Sequence, residues 1–208
     1  MNIAIVTPWH NHQELLADYM EAVGVAGEWD ELIIVDCGSE PQLEFATVYP
    51  GSNLGFCGGS NYGLNCATAD AVVFLNNDVR IRSQSWLEEI RASLEPGVLV
   101  GQLRNGLHTS VDNTLLTYLD GWCLAGMRSE LLALGGFDET LEEPAYYSDN
   151  LLCLEARAAG MTLVDLRIGL EHLQNVTAGP AWDSRVQAAT TSNRARYQAR
   201  ARELLVAS

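Results

Sequence analysis

The stretch Ala71-Val72-Val73-Phe74-Leu75-Asn76-Asn77-Asp78 sets the reading of this chain. Five apolar residues without alternation predict a strand covered on both faces, as in a parallel sheet held between helices. The run then stops on three polar residues, so Asn76-Asn77-Asp78 emerges where buried backbone meets solvent. Side chains alternate along extended backbone, which puts Asn76 and Asp78 on one side and Asn77 on the other. A carboxylate and an amide oxygen presented together suit a hard divalent cation that keeps phosphate and water as its other ligands. A polar turn that merely closes a core strand has the same appearance.

Upstream, residues 2–7 and 32–35 are rich in Ile and Val and predict two further buried strands. Between them Leu15, Leu16, Tyr19, Met20 and Val23 form a helical stripe. Residues 45–49 predict another strand. Asn53-Leu54-Gly55-Phe56-Cys57-Gly58-Gly59-Ser60-Asn61 is a glycine-rich loop entering a helix. It fits neither the dinucleotide fingerprint nor the phosphate-loop spacing, yet its glycines permit close backbone approach and a helix start favours an anion. Downstream, residues 85–94 predict a helix, and 98–103, 118–124 and 162–166 predict strands. Ser129 and Ser148 are placed as caps of two short helices, and 181–206 as a long Arg- and Ala-rich helix. Strands alternating with helices predict an α/β fold with a mainly parallel sheet, in a single domain over residues 1–208. Ligands bind beyond the carboxyl ends of such strands, so Thr7, Asp36 and Asp78 are expected to converge on one crevice.

Composition narrows the function classes. The formal charge is −15, and all 12 basic residues are arginine. The segment from Ala181 onward carries +3 and the rest −18, so the body repels nucleic acid and anionic lipid surfaces. No apolar run approaches the roughly 20 residues that span a bilayer, and Met1 to Val6 read as a strand rather than a leader, so a cytoplasmic location is expected. The 5 scattered cysteines fit small buried hydrophobes in a reducing compartment. Trp122 and Tyr147 offer ring faces for a ligand or for core packing equally well. The tail arginines read as a solvated helix face or as a surface for a second copy of the chain.

The order of Thr7-Pro8, Asp36 with Ser39, Asn53-Leu54-Gly55-Phe56, Gly58-Gly59-Ser60-Asn61 and Asn76-Asn77-Asp78 resembles the nucleotide-sugar half of glycosyltransferase family 2, particularly its rhamnosyltransferase-like members. Gly135-Gly136-Phe137-Asp138-Glu139, followed by Ser148-Asp149, Leu152-Cys153-Leu154 and Ala159-Gly160, resembles the acceptor-side pattern of that family. The resemblance runs over residues 2–175. It implies a GT-A fold and inverting transfer of a hexosyl or deoxyhexosyl group from a UDP- or dTDP-sugar to an acceptor hydroxyl on a glycan, lipid-linked intermediate or protein. Residues 1–80 would form the nucleotide-sugar half, 81–180 the acceptor half and 181–208 an Arg-rich terminal helix. Thr7, Pro8 and Asp36 would line the base and ribose, with Gly58, Gly59 and Asn61 beside the nucleotide. Asn53, Gly55, Phe56 and Asn77 complete the implied donor set. Asp78, with support from Asn76, would hold Mg²⁺ or Mn²⁺ on the diphosphate, and His172 fits a late histidine of the metal site. Asp149 stands in the place of the catalytic base. The chain departs from the pattern at Asn76, where an acid is usual, and at Ser148, where a Glu is usual. A nucleotidyltransferase on a similar sheet is disfavoured by the absence of lysine and of basic residues in the 53–61 loop. A silent nucleotide-sugar-binding domain is disfavoured by the presence of both Asp78 and Asp149.

Overall fold

The structure, a computed structural model, describes residues 1–104, 110–143, 146–173 and 183–207. Strand β1 (Ile3–Trp9) leads through a 3-10 turn (Gln13–Leu15) into helix α1 (Leu16–Gly24). Then come β2 (Glu31–Asp36), α2 (Gly55–Cys66) and β3 (Ala71–Leu75). β4 (Val79–Ile81), α3 (Trp86–Ser93) and β5 (Val98–Arg104) follow. A small ribbon of β6 (Ser110–Val111) and β7 (Thr114–Leu115) precedes the long β8 (Tyr118–Met127). Helices α4 (Arg128–Leu134) and α5 (Ser148–Ala158), strands β9 (Thr162–Asp165) and β10 (Leu170–His172), and helix α6 (Ser184–Ala207) complete the described chain.

Six strands form one sheet in the order β2-β1-β3-β8-β5-β9. β1 runs parallel to β2 and β3, and β5 parallel to β9, while β8 is antiparallel to both of its neighbours. The expected α/β fold with a mainly parallel sheet is borne out, with one strand reversed at its centre.

Side-chain parity explains the layers. Ile3 and Ile5 of β1, Val73 and Leu75 of β3, and Val98 and Val100 of β5 face α1 and α3, where Tyr19, Val23, Trp86 and Ile90 complete one core. Ala4, Val6, Val72, Phe74 and Leu99 face the other way, onto α2, α4 and α5, with Leu64, Leu131, Phe137 and Leu152. Each apolar run is therefore buried on both faces because each parity has its own helix layer.

Helix α2 lies close on β1. A methyl group on Gly63 would overlap Val6 Cγ1, and one on Gly59 would come 2.7 Å from Cys37 Sγ and 2.8 Å from Pro8 Cβ. Gly63→Ala is therefore expected to lower stability by up to about 2 kcal/mol, since about 1–3 kcal/mol of overpacking is set against the ~1 kcal/mol that Ala gains over Gly in a helix. Urea unfolding checks this; an unchanged or higher midpoint would mean that α2 shifts freely on the sheet.

Three local expectations are corrected. Residues 45–49 make only a single bridge, Val35 to Val48, because Thr47 and Val48 bond back to Ile34 and Asp36 at the sheet edge without extending it. Ser129 is the second residue of α4, whose cap position is Met127. Ser148 is the first residue of α5, whose cap position is Tyr147 in a left-handed conformation, and neither helix has a side-chain cap. The start proposed at Ala181 for the terminal helix lies outside the described residues. From Ser184 on, α6 packs on its own chain: Tyr197 and Ala201 join Leu151 and Leu154 of α5 in a third apolar cluster, and Arg200 forks onto Glu155.

Candidate active site

The carboxyl ends of β1 and β3, the start of α2, the middle of β8, the start of α5 and the end of β10 surround a cleft of about 1280 Å³. Of the residues singled out from sequence, Pro8, Asn53, Gly55, Phe56, Asn76, Asn77, Asp78, Asp149 and His172 line it. Thr7, Asp36, Gly58, Gly59 and Asn61 do not.

The reasons are local. Thr7 has the parity of Ile3 and Ile5, so its hydroxyl is fully buried against Tyr19 on the α1 side, at 2.6 Å. Asp36 spends both oxygens on its own turn, accepting from Ser39 N at 2.8 Å and Leu43 N at 3.0 Å. Its neighbour Cys37 faces the cleft instead. Gly58 and Gly59 serve the packing of α2, and Asn61 clamps the backbone of Phe137 through both ends of its amide, at 2.8 and 2.9 Å. The expected convergence of Thr7, Asp36 and Asp78 is thus met by Asp78 alone, with Pro8 and Cys37 one residue beyond the other two.

The start of α2 is held by the chain itself. Asn53 Oδ1 accepts from Gly55 N at 2.8 Å and Glu143 Oε1 from Phe56 N at 3.0 Å, satisfying donors that helix starts leave free. Burial pushes the Glu143 carboxyl above its ordinary range.

One end of the cleft gathers Asn76, Asp78 and His172. β10 pairs antiparallel with β4, setting His172 opposite Val79, one residue beyond Asp78. His172 Nε2 then lies 3.1 Å from Asp78 Oδ1 and 3.3 Å from Asn76 Nδ2. Both side chains, just beyond the end of β3, reach the same atom. The approach to Asp78 lacks hydrogen-bond geometry, and Oδ1 is a buried oxygen with no hydrogen bond among the described residues. The His172 ring stacks on Trp122 of β8, centroids 5.4 Å apart and planes 10° from parallel.

A divalent cation fits this pocket chemically: a buried carboxylate oxygen without a proton donor faces an imidazole nitrogen, with an amide oxygen able to turn inward. Among the described residues no three His, Cys, Asp or Glu side chains surround a single point. A cation held by Asp78 and His172 would therefore draw its remaining ligands from phosphate and water.

Asp149 lies further along the cleft. Its Oδ2 accepts from Gly121 N at 3.1 Å and its Oδ1 from Asn150 N at 2.9 Å. Gly121 permits this approach, since a Cβ there would come 3.1 Å from Asp149 Cβ. The side chain keeps some surface open to the cleft while protein encloses the rest, and that burial pushes its pKa up to about 6 despite the two N–H donors. A carboxyl poised near neutrality can take a proton from a hydroxyl and return it.

Sequence reading missed Gly121, Glu143 and the Arg104–Asp120 pair, all of which line the cleft. Asp120-Gly121-Trp122 carried one signal that could have been used: an acid and a glycine interrupting an otherwise apolar strand.

No protein-family model and no curated protein sequence matches the chain. Solved structures do. The fold is similar to the mannosyltransferase PcManGT from Pyrobaculum calidifontis in complex with GDP-Man and Mn²⁺, at TM-score 0.64 and 16% identity over 85% of this chain and 58% of that one. It is similar to GalNAc-T7 with UDP, GalNAc and Mn²⁺, at TM-score 0.67 and 12% identity over 94% and 48%. S. aureus TarS 1-349 in complex with UDP gives TM-score 0.58 and 14% identity over 82% and 60%. The chain spans less than two thirds of each. At these identities the likeness shows the fold, which this protein shares with glycosyltransferases. No helix among the described residues is long and apolar enough to cross a membrane.

Proposed function

We propose that this protein is an inverting, metal-dependent glycosyltransferase of the family 2 type, on the rhamnosyltransferase-like branch, which moves a hexosyl or deoxyhexosyl group from a UDP- or dTDP-sugar to an acceptor hydroxyl. The observation that carries this reading is the pairing, in one cleft, of a buried unbonded Asp78 oxygen beside His172 with a carboxyl of raised pKa at Asp149. The three solved glycosyltransferases add support, since two of them were solved with Mn²⁺ and all three with a nucleotide or nucleotide-sugar.

In this reading Asp78 and His172 would hold Mn²⁺ or Mg²⁺ against the donor diphosphate, and the cation would offset charge on the leaving group. Pro8, Asn53, Gly55 and Phe56 form the wall for the nucleotide. Asp149 takes the proton of the acceptor hydroxyl as its oxygen attacks the anomeric carbon from the face opposite the leaving diphosphate. Gly121 N and Asn150 N fix the carboxylate during that step, leaving the remaining lone pairs for the proton.

Thermal melting with a panel of nucleotide-sugars, with and without Mn²⁺, tests the reading. A matched nucleotide should raise the melting point only when Mn²⁺ is present, because a ligand selective for the native state stabilises it in proportion to RT ln(1 + [L]/Kd). No shift with any nucleotide in the presence of Mn²⁺ would reject it.

A further inference from the structure

In a chain of charge −15 the cleft still presents an arginine whose binding edge is unspent. Arg104 ends β5 opposite Tyr118 of β8, so paired backbone fixes its root. Its Nε donates to Asp120 Oδ2 at 2.6 Å; the acid is 11% exposed and the arginine 46%. Asp120 is thereby neutralised through one donor. Nη1 and Nη2 make no hydrogen bond among the described residues. A guanidinium anchored at Nε and open at its outer edge is a preorganised fork for a carboxylate or phosphate.

Strand β8 orders the cleft. Tyr118 pairs with Arg104, Asp120 holds its Nε, Gly121 N holds Asp149, and Trp122 O accepts from Asn76 N at 2.8 Å while its ring stacks on His172. Along β8 the contact to Asp149 therefore falls between those to Arg104 and those to the Asp78–His172 end. An oxyanion at Arg104 belongs to what Asp149 deprotonates, not to the donor diphosphate. The cleft also holds Glu142 and Glu143, which would repel such a ligand without a cationic anchor.

We propose that the acceptor carries an oxyanion, a phosphate ester or a carboxylate, which the outer edge of Arg104 binds beside Asp149. The assignment of that anion to an acceptor rests on the glycosyltransferase reading; the anion site itself does not.

Isothermal titration of the full chain with glucose 6-phosphate, glucuronate and glucose tests it, first nucleotide-free and then with UDP or GDP plus Mn²⁺. Either anion should bind about tenfold or more tighter than glucose, in both conditions, and the stronger of the two identifies phosphate or carboxylate. Arg104→Gln alone strands Asp120, so the informative variant is Arg104→Gln/Asp120→Asn, which removes both charges. It should erase the preference while leaving nucleotide affinity unchanged, and Arg104→Lys should keep only part of it. Equal binding of anion and glucose, no anion binding up to about 10 mM, or a preference that survives the double variant overturns the proposal. Displacement of the anion by UDP or GDP would place it at the diphosphate end and overturn the acceptor assignment. Failure of every nucleotide to bind would remove the glycosyltransferase reading, while the nucleotide-free titration still decides on Arg104.

Discussion

Asp149→Asn is expected to cut transfer by a factor on the order of 10² or more while nucleotide affinity in the presence of Mn²⁺ stays near wild type. The same substitution should make the protein more stable at pH 8. Burial holds the Asp149 pKa at about 6, above the ordinary carboxylate value, so the folded state binds this proton more tightly than the unfolded chain. The resulting penalty on folding grows as pH rises through the interval between the two values and is complete above about 6. Asn carries no such penalty but keeps only one acceptor for the Gly121 and Asn150 donors. The net gain, discounted for the open side of the carboxyl, is about 1 kcal/mol, or roughly 3 °C. The gain should vanish near pH 4, where the wild-type carboxyl is protonated too. For wild type, kcat/KM should climb to a plateau above about pH 6, and the residual activity of the variant should lack that limb. Turnover near the wild-type level would move the base elsewhere. Joint loss of affinity and turnover would place Asp149 at the donor end.

Asp78→Ala has the second large effect. Mn²⁺-dependent affinity for UDP or dTDP should fall by about 10² or more, since the cation loses its charged ligand from the chain. Oδ1 of Asp78 makes no hydrogen bond among the described residues, so deleting the carboxylate removes a desolvated charge, and the ligand-free melting point should hold or rise. Calorimetry beside melting curves separates the two effects. Wild-type affinity in the folded variant would take Asp78 out of the site, and a collapsed melting point would make it structural.

What was legible in the sequence followed burial. β1, β2 and β3 are each built on a run of consecutive apolar residues, and runs of that kind occur where helices cover both faces of a sheet. The Asn76-Asn77-Asp78 stop stood out because polarity changes so sharply there. The β4–β10 ribbon did not, since Val79-Arg80-Ile81 and Leu170-Glu171-His172 are too short to show a period, yet it is what carries His172 to Asp78. Parity could have removed Thr7 from the crevice, as it aligns with Ile3 and Ile5. Asp36 was placed at the right strand end, but nothing in its type distinguishes a ligand contact from a carboxylate that ties its own turn. Arg104 and Asp120 stand 16 residues apart and meet only through the β5–β8 pairing, a relation that no local pattern encodes.

The reversed strand β8 has a consequence for how this molecule can be divided. It is the middle rung through which β3, which leads to Asp78, and β5, bearing Arg104, are joined, and its own residues hold Asp149 and stack on His172. A fragment ending near residue 80 would leave the N–H and C=O groups of β3 as a bare apolar edge, open to pairing with other chains. The walls proposed for donor and acceptor are therefore not modules that could be exchanged between proteins by cutting at the chain midpoint. Any shuffling of specificity has to keep β8 together with both of its neighbours and act on the loops they carry.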